Sequence, residues 1–229
     1  MQIKEILLSS PLYKPSESEN DGLSLVKESD LHIYCPGIST GGFTEISMAL
    51  DDKKRQIIAT TLDEKGIQET QKLIEQYGVQ SQITLKLEDV SEPLPYENES
   101  FDFIYARLVL HYLSKQRLEQ SLKELHRILK KGAQIFIVVR SFDWESEVTE
   151  KKYDSETGIT SYPEYDSDGN ILKFVERGLQ TEDSITSALV TAEFRIQQVR
   201  KLEETIYGGY LRIRPNKKPS KLIEVVAIK

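Results

Sequence analysis

One cysteine, one tryptophan and three histidines in 229 residues leave several chemistries without material. A lone Cys35 forbids an internal disulfide and fits a reducing compartment. The histidines, at positions 32, 111 and 126, show no metal-ligand spacing, so no metal site is expected. The longest uninterrupted apolar run, residues 135–139, falls far short of the ~20 residues that a membrane-spanning helix needs. Residues 1–8 are too short and too early charged, at Lys4 and Glu5, for a secretory signal. The expectation is a cytoplasmic protein without a membrane partner. Positive charge is in deficit: the net charge is −7, a sign that repels phosphate backbones and argues against nucleic acid. The basic run at Asn216, Lys217 and Lys218 reads as a solvated turn.

What is present is an alternation of short apolar strands with amphipathic helices. Residues 31–35, 57–61, 83–87, 101–105 and 133–139 read as strands. Between them, Phe43, Ile46, Ala49 and Leu50 share one helical face, as do Ile67, Thr70, Leu73, Ile74 and Tyr77. Leu118, Leu122, Leu125 and Leu129 repeat likewise, with Lys130, Lys131 and Gly132 as the expected stop. Five strands alternating with helices predict an α/β fold, a parallel sheet with helices on both faces. Residues 141–180 are polar and rich in turn signals, which predicts irregular hairpins or a lid. Thr181 is placed to cap a helix, and residues 196–213 and 221–228 read as an antiparallel edge hairpin. No internal repeat or linker interrupts the chain. The expected organisation is one domain over 1–229, with an N-terminal cap segment at 1–30 and a cofactor-binding core at 31–140. An insertion at 141–182 and a C-terminal helix and hairpin at 183–229 complete it.

The stretch IYCPGISTGG, residues 33–42, ends a strand in a glycine-rich loop before a helix. Exposed N–H groups at such a helix start suit a negative or polar ligand group. Two cofactor classes compete for the loop. A dinucleotide turn needs Gly37, Ser39 and Gly42 to stand for three glycines, and an acid about 20 residues on; Asp63 is near that distance but sits at a helix cap.

The longer run DVSEPLPYENESFDFIYARLVLHYL, residues 89–113, followed by LKELHRILKKGAQIFIV, residues 122–138, resembles the class I S-adenosylmethionine-dependent methyltransferases, in the group acting on small molecules. The resemblance covers residues 31–139 and extends loosely to the C-terminal hairpin. It implies a Rossmann-like, seven-stranded, mostly parallel sheet with helices on both faces and a C-terminal antiparallel hairpin. It implies S-adenosylmethionine as the cofactor. Gly37, Ser39 and Gly41 would pass beneath its methionine part, with Cys35 where the family has an acid. Thr61 would face the ribose, Leu62 the adenine, and Asp89 with Val90 the adenine edge. Ala106 and Arg107 match the strand end near the methyl group, and His111 lies beside them as the candidate base. Arg107 is the candidate for orienting a substrate anion.

The acidic surface and the absence of an Asn/Asp-Pro-Pro-aromatic run after strand four point to a small organic acceptor. The expected function is therefore methyl transfer from S-adenosylmethionine to a small molecule. The alternative is a methyltransferase-like binding or partner protein without catalysis, because Cys35 and Thr61 each replace an acid. A charge-assisted hydrogen bond from such an acid is worth about 1.5–3 kcal/mol. A nicotinamide dehydrogenase ranks third, since the C-terminal hairpin replaces the second half-sheet it needs.

Overall fold

A computed structural model describes residues 15–38, 40–145, 150–165, 170–208, 214–215 and 219–229. The chain enters through helix α1 (Glu17–Ser24) and strand β1 (His32–Pro36), then helix α2 (Phe43–Asp51) and strand β2 (Gln56–Thr61). Helix α3 (Glu64–Gln76), β3 (Ile83–Leu87), β4 (Phe101–Arg107), α4 (Lys115–Ile128) and β5 (Leu129–Arg140) follow. A single helical turn, α5 (Phe142–Glu145), leads to three antiparallel strands, β6 (Lys152–Asp154), β7 (Ile159–Tyr165) and β8 (Ile171–Arg177). Helix α6 (Glu182–Thr191) and β9 (Arg195–Glu204) come next. A two-residue ribbon of β10 (Tyr207–Gly208) and β11 (Arg214–Pro215) then precedes β12 (Ser220–Ile228).

The main sheet has seven strands in the order β3-β2-β1-β4-β5-β12-β9, the first five parallel and the last two antiparallel to their neighbours. This is the expected Rossmann-like architecture. Alternate residues of the central strands feed two cores. Ile104, Ala106, Ile135, Ile137 and Val139 pack with the apolar faces of α4 and α6. Ile33, Cys35, Phe103, Tyr105, Phe136 and Val138 pack with α2 and α3. Strands covered on both faces read as nearly continuous apolar runs, which explains why β4 and β5 stand out in the sequence.

Two expectations change in detail. The Lys130–Gly132 segment, read as a helix stop, belongs to β5, because Leu129 already pairs with Phe101 and the ladder resumes at Phe103 and Gln134 after an irregularity. The C-terminal antiparallel pair lies at one edge of the sheet as expected, with β12 against β5 and β9 outermost. The position of each strand suits its sequence, since β12 is buried over most of its length while β9 alternates with exposed residues. The polar insertion forms an ordered three-stranded sheet rather than irregular hairpins. Its Asp166–Gly169 turn, the Lys217–Lys218 turn and Ser39 of the glycine-rich loop lie outside the described residues.

Candidate functional site

The C-terminal ends of β1 to β4 meet on one edge of the sheet, where ligands of open parallel sheets bind. At the end of β1, Gly37 and Gly41 have φ of +75° and +73°, the left-handed region that glycine enters without penalty. Gly37 meets a second constraint. A Cβ there would lie 2.6 Å from the Cβ of Val109. Val109 arrives at that place because Leu108, just past β4, itself adopts φ +57°. A branched residue held there costs about 1–3 kcal/mol, a strain typical of functional turns. The loop after β1 and the turn after β4 are thus packed against each other, and the turn carries Leu110, His111 and Tyr112 over the sheet edge.

Thr61 ends β2 beside Leu87, and the N–H of Glu88 donates to the Thr61 carbonyl at 3.2 Å. That bond brings Thr61 and Asp89 to one edge. The Thr61 hydroxyl accepts from the N–H of Asp63 at 3.1 Å, while Asp63 caps α3 through Lys65. Asp63 is therefore a helix cap, as its sequence position allowed, and not a ribose ligand of a dinucleotide. Leu62 is 69% exposed, an apolar side chain outside the core. Val90 points into the core beside α4.

Asp89 takes the Ser91 N–H at 2.9 Å and its hydroxyl at 2.7 Å, and the Arg117 guanidinium at 2.7 Å. Burial alone would raise the pKa of this carboxyl. The Ser91 hydrogen bonds and the Arg117 charge outweigh it and hold the group below its ordinary value, so Asp89 is an anion at neutral pH. Its neighbour Glu88 accepts from the hydroxyls of Tyr34, at 2.7 Å, and Tyr96, at 2.8 Å. Burial, followed by the Glu88 charge, pushes the Tyr34 phenol far up, so it stays a donor. This clamp fixes the backbone from which Asp89 projects. Arg127 and Glu124 of α4 pin the same loop through Leu94 and the Tyr96 carbonyl.

The remaining predicted residues divide between two environments. Cys35 is fully buried, and its thiol is raised first by burial and then by the nearby charge of Glu45. Ala106 is buried at the end of β4. Arg107 points away into a closed ionic cluster: it donates to Ser18 Oγ at 2.8 Å and Ser16 Oγ at 2.9 Å, pairs with Glu204, and lies 3.6 Å from Glu19. Its donors tie α1 and β9 to the end of β4. His111 is 1% exposed, and neither ring nitrogen has a partner among the described residues. Burial, then the charges of Arg140 and Arg177, lower its pKa well below the usual value, so the imidazole is neutral.

The structure thus brings together Gly37, Gly41, Thr61, Leu62, Asp89 and His111 along one edge and sends Arg107 elsewhere. Arg117 and the Glu88–Tyr34–Tyr96 clamp were not readable beforehand, since Asp89 and Arg117 are 28 residues apart and no local pattern links them. The residues present fit an adenosine-bearing cofactor. Gly37 and Gly41 leave two positions of the loop without a Cβ, and Thr61 offers a hydroxyl. Leu62 supplies an exposed apolar wall and Asp89 an ionised acceptor for an amino group.

Residues 35–137 match the family model described as a methyltransferase domain. No curated protein matches the sequence. Among solved structures, an S-adenosylmethionine-dependent methyltransferase from Methanosarcina mazei superposes with a TM-score of 0.66 at 19% identity, covering 90% of this chain and 95% of the other. One from Clostridium acetobutylicum gives 0.62 at 14% identity, covering 98% and 94%. The (4+2)-cyclase SpnF gives 0.62 at 13% identity, covering 92% and 79%. At these identities the likeness is one of fold, and it spans enzymes of different chemistry. Residues 35–137 thus match a methyltransferase domain, and the fold around them is that of S-adenosylmethionine-dependent methyltransferases of known structure.

Proposed function

We propose that the protein is a cytoplasmic enzyme that moves a methyl group from S-adenosylmethionine to a small organic acceptor. The observation that carries this reading is the ionised Asp89 carboxylate set beside Thr61 and the exposed Leu62 at the strand ends. Gly37 and Gly41 would run under the methionine part, Thr61 would bind the ribose, and Asp89 with the Val90 N–H would bind the adenine edge. Methyl transfer is an in-line displacement, so the acceptor must be held behind the methyl group and water kept out. His111, neutral at this edge, would take the proton of an acidic acceptor, since its lowered pKa makes it a weak base. Arg107 supports the end of β4 from behind through Glu204 and Glu19.

The second reading, a methyltransferase-like partner protein without catalysis, draws on the Arg117–Asp89 pair and on Cys35. Arg117 already occupies one oxygen of the carboxylate, and the buried thiol carries no charge for the amino end of a cofactor.

Calorimetry with S-adenosylmethionine and S-adenosylhomocysteine decides between them. Micromolar binding that Asp89→Ala removes is the outcome the enzymatic reading requires. No heat at millimolar ligand would discard it in favour of the partner reading.

A further inference from the structure

The small sheet of β6, β7 and β8 sits on the turn that carries His111. Its β6–β7 end is tied to the start of α4, where the Lys115 N–H donates to the Thr157 carbonyl at 2.8 Å. Its exit is tied to the turn itself, where the Gly178 N–H donates to the His111 carbonyl at 2.9 Å. A Cβ on Gly178 would fall 2.0 Å from the Leu113 carbonyl oxygen, so only glycine allows this approach. Arg177 stacks its guanidinium 4.3 Å above the Tyr112 ring.

Thr160 and Arg177 are direct cross-strand partners and therefore point to the same face. Tyr162 and Val175, the next pair on that face, are both buried. Along this inner face, polar atoms lack partners. The Thr160 hydroxyl, Arg177 Nε and both nitrogens of His111 are buried with no hydrogen-bond partner among the described residues. Such groups are rarely left unpaired, since each costs about 1–3 kcal/mol. Three of them can donate at once: a hydroxyl, a guanidinium N–H and the N–H of a neutral imidazole. The charged groups that act on His111 are Arg140 and Arg177, both positive, in a protein whose net charge is −7. A neutral ligand would leave the Arg177 charge uncompensated at a half-buried place.

We infer that the His111 turn and the inner face of β7–β8 together form an anion-binding subsite, in which Arg177, Thr160 and His111 hold a carboxylate or phosphate group of the small-molecule acceptor. This deepens the methyl-transfer reading, on which it rests for the word acceptor. The subsite itself can be tested without the cofactor. It assigns the inserted sheet the role of selecting substrates by charge.

The test is nuclear magnetic resonance of the three imidazoles, with the His111 signals assigned through His111→Gln. The protein is titrated with sodium benzoate in one arm and inorganic phosphate in the other. Saturable movement of the His111 signals, with those of His32 and His126 unmoved, is the expected result. Arg177→Gln should weaken the responding anion about tenfold or more, the size of one charge-assisted bond. Thr160→Val, an isosteric change that keeps the fold, should weaken it about fivefold. Lys173→Gln, on the exposed end of β8, should leave it unchanged. Benzoate alone identifies a carboxylate acceptor, phosphate alone a phosphorylated one, and a response to both a subsite that does not discriminate. If neither anion moves His111, or if both variants bind as the wild type does, the inference is overturned and the polar atoms are satisfied by water only. Failure of S-adenosylmethionine binding with the anion response intact would remove the methyl-transfer reading and leave the subsite standing.

Discussion

Replacing Arg107 by methionine removes a cation from a cluster that holds two buried carboxylates, Glu19 and Glu204. The Arg107 side chain is 7% exposed, that of Glu204 4% and that of Glu19 0%. Burial alone would lower the pKa of the guanidinium, and the Glu19 charge with the Glu204 charge and hydrogen bond more than reverses this, so the cluster favours the ion. Glu204 also accepts from the Ser18 N–H and hydroxyl at 3.0 and 2.9 Å, which orient it but leave its charge in place. Breaking a buried pair by removing one member costs about 3–5 kcal/mol, because the partner charge is left desolvated. In a chain of this length each kcal/mol lowers the melting temperature by about 2–4 °C, so Arg107→Met should melt roughly 6–20 °C below the wild type. Urea unfolding followed by circular dichroism gives the free energy directly. Adding Glu204→Gln should recover at least about 1 kcal/mol, since it removes one of the stranded charges. The folded variant should bind S-adenosylmethionine as the wild type does. A loss below about 1 kcal/mol, the value of an exposed pair, would refute the picture of a desolvated cluster. Intact stability with lost acceptor turnover would return Arg107 to the substrate site.

Three further outcomes follow from other parts of the molecule. The Cys35 thiol, raised by burial and by Glu45, should be inert to Ellman's reagent in the native protein and react once per chain in urea; prompt native reaction would contradict its placement. Gly22 of α1 lies against two rings, where a Cβ would be 2.4 Å from Tyr105 Cε2 and 2.6 Å from Phe136 Cε1, so Gly22→Val should cost at least about 2 kcal/mol in urea unfolding. A neutral result there would mean that α1 does not dock as described. Asp102 joins β4 to the start of β1 through the Leu31 and His32 N–H groups and Lys130. Burial would raise its pKa, but the Lys130 bond and the two N–H donors depress it. Its contribution is therefore present above the ordinary carboxylate pKa of about 3.9 and is lost as pH falls towards the folded value. Asp102→Asn should flatten the acid limb of a stability–pH curve, and an unchanged limb would count against the bond network.

The sheet was legible because its strands are covered on both faces and its helices on one. Continuous apolar runs at β4 and β5, and helical repeats such as Leu118, Leu122 and Leu125, follow from those two kinds of burial. Asp89, Thr61 and Leu62 came as cofactor residues only from the family resemblance; in the fold they lie at strand ends, where an open parallel sheet binds ligands. The insertion was harder. Its strands cover only part of the core, so turn residues dominated the reading and the alternation of Thr160, Tyr162, Val175 and Arg177 was lost among polar neighbours.

By itself the sequence determined the α/β class and the strand-and-helix alternation, because local periodicity and turn chemistry are written residue by residue. Tertiary structure alone decided which charges meet. Arg107 and Glu204 are 97 residues apart, Asp89 and Arg117 are 28 apart, and Arg177 reaches His111 from a different sheet. No local pattern fixes such pairs, since the energy of a charge depends on its burial and its neighbours, and both are properties of the folded chain.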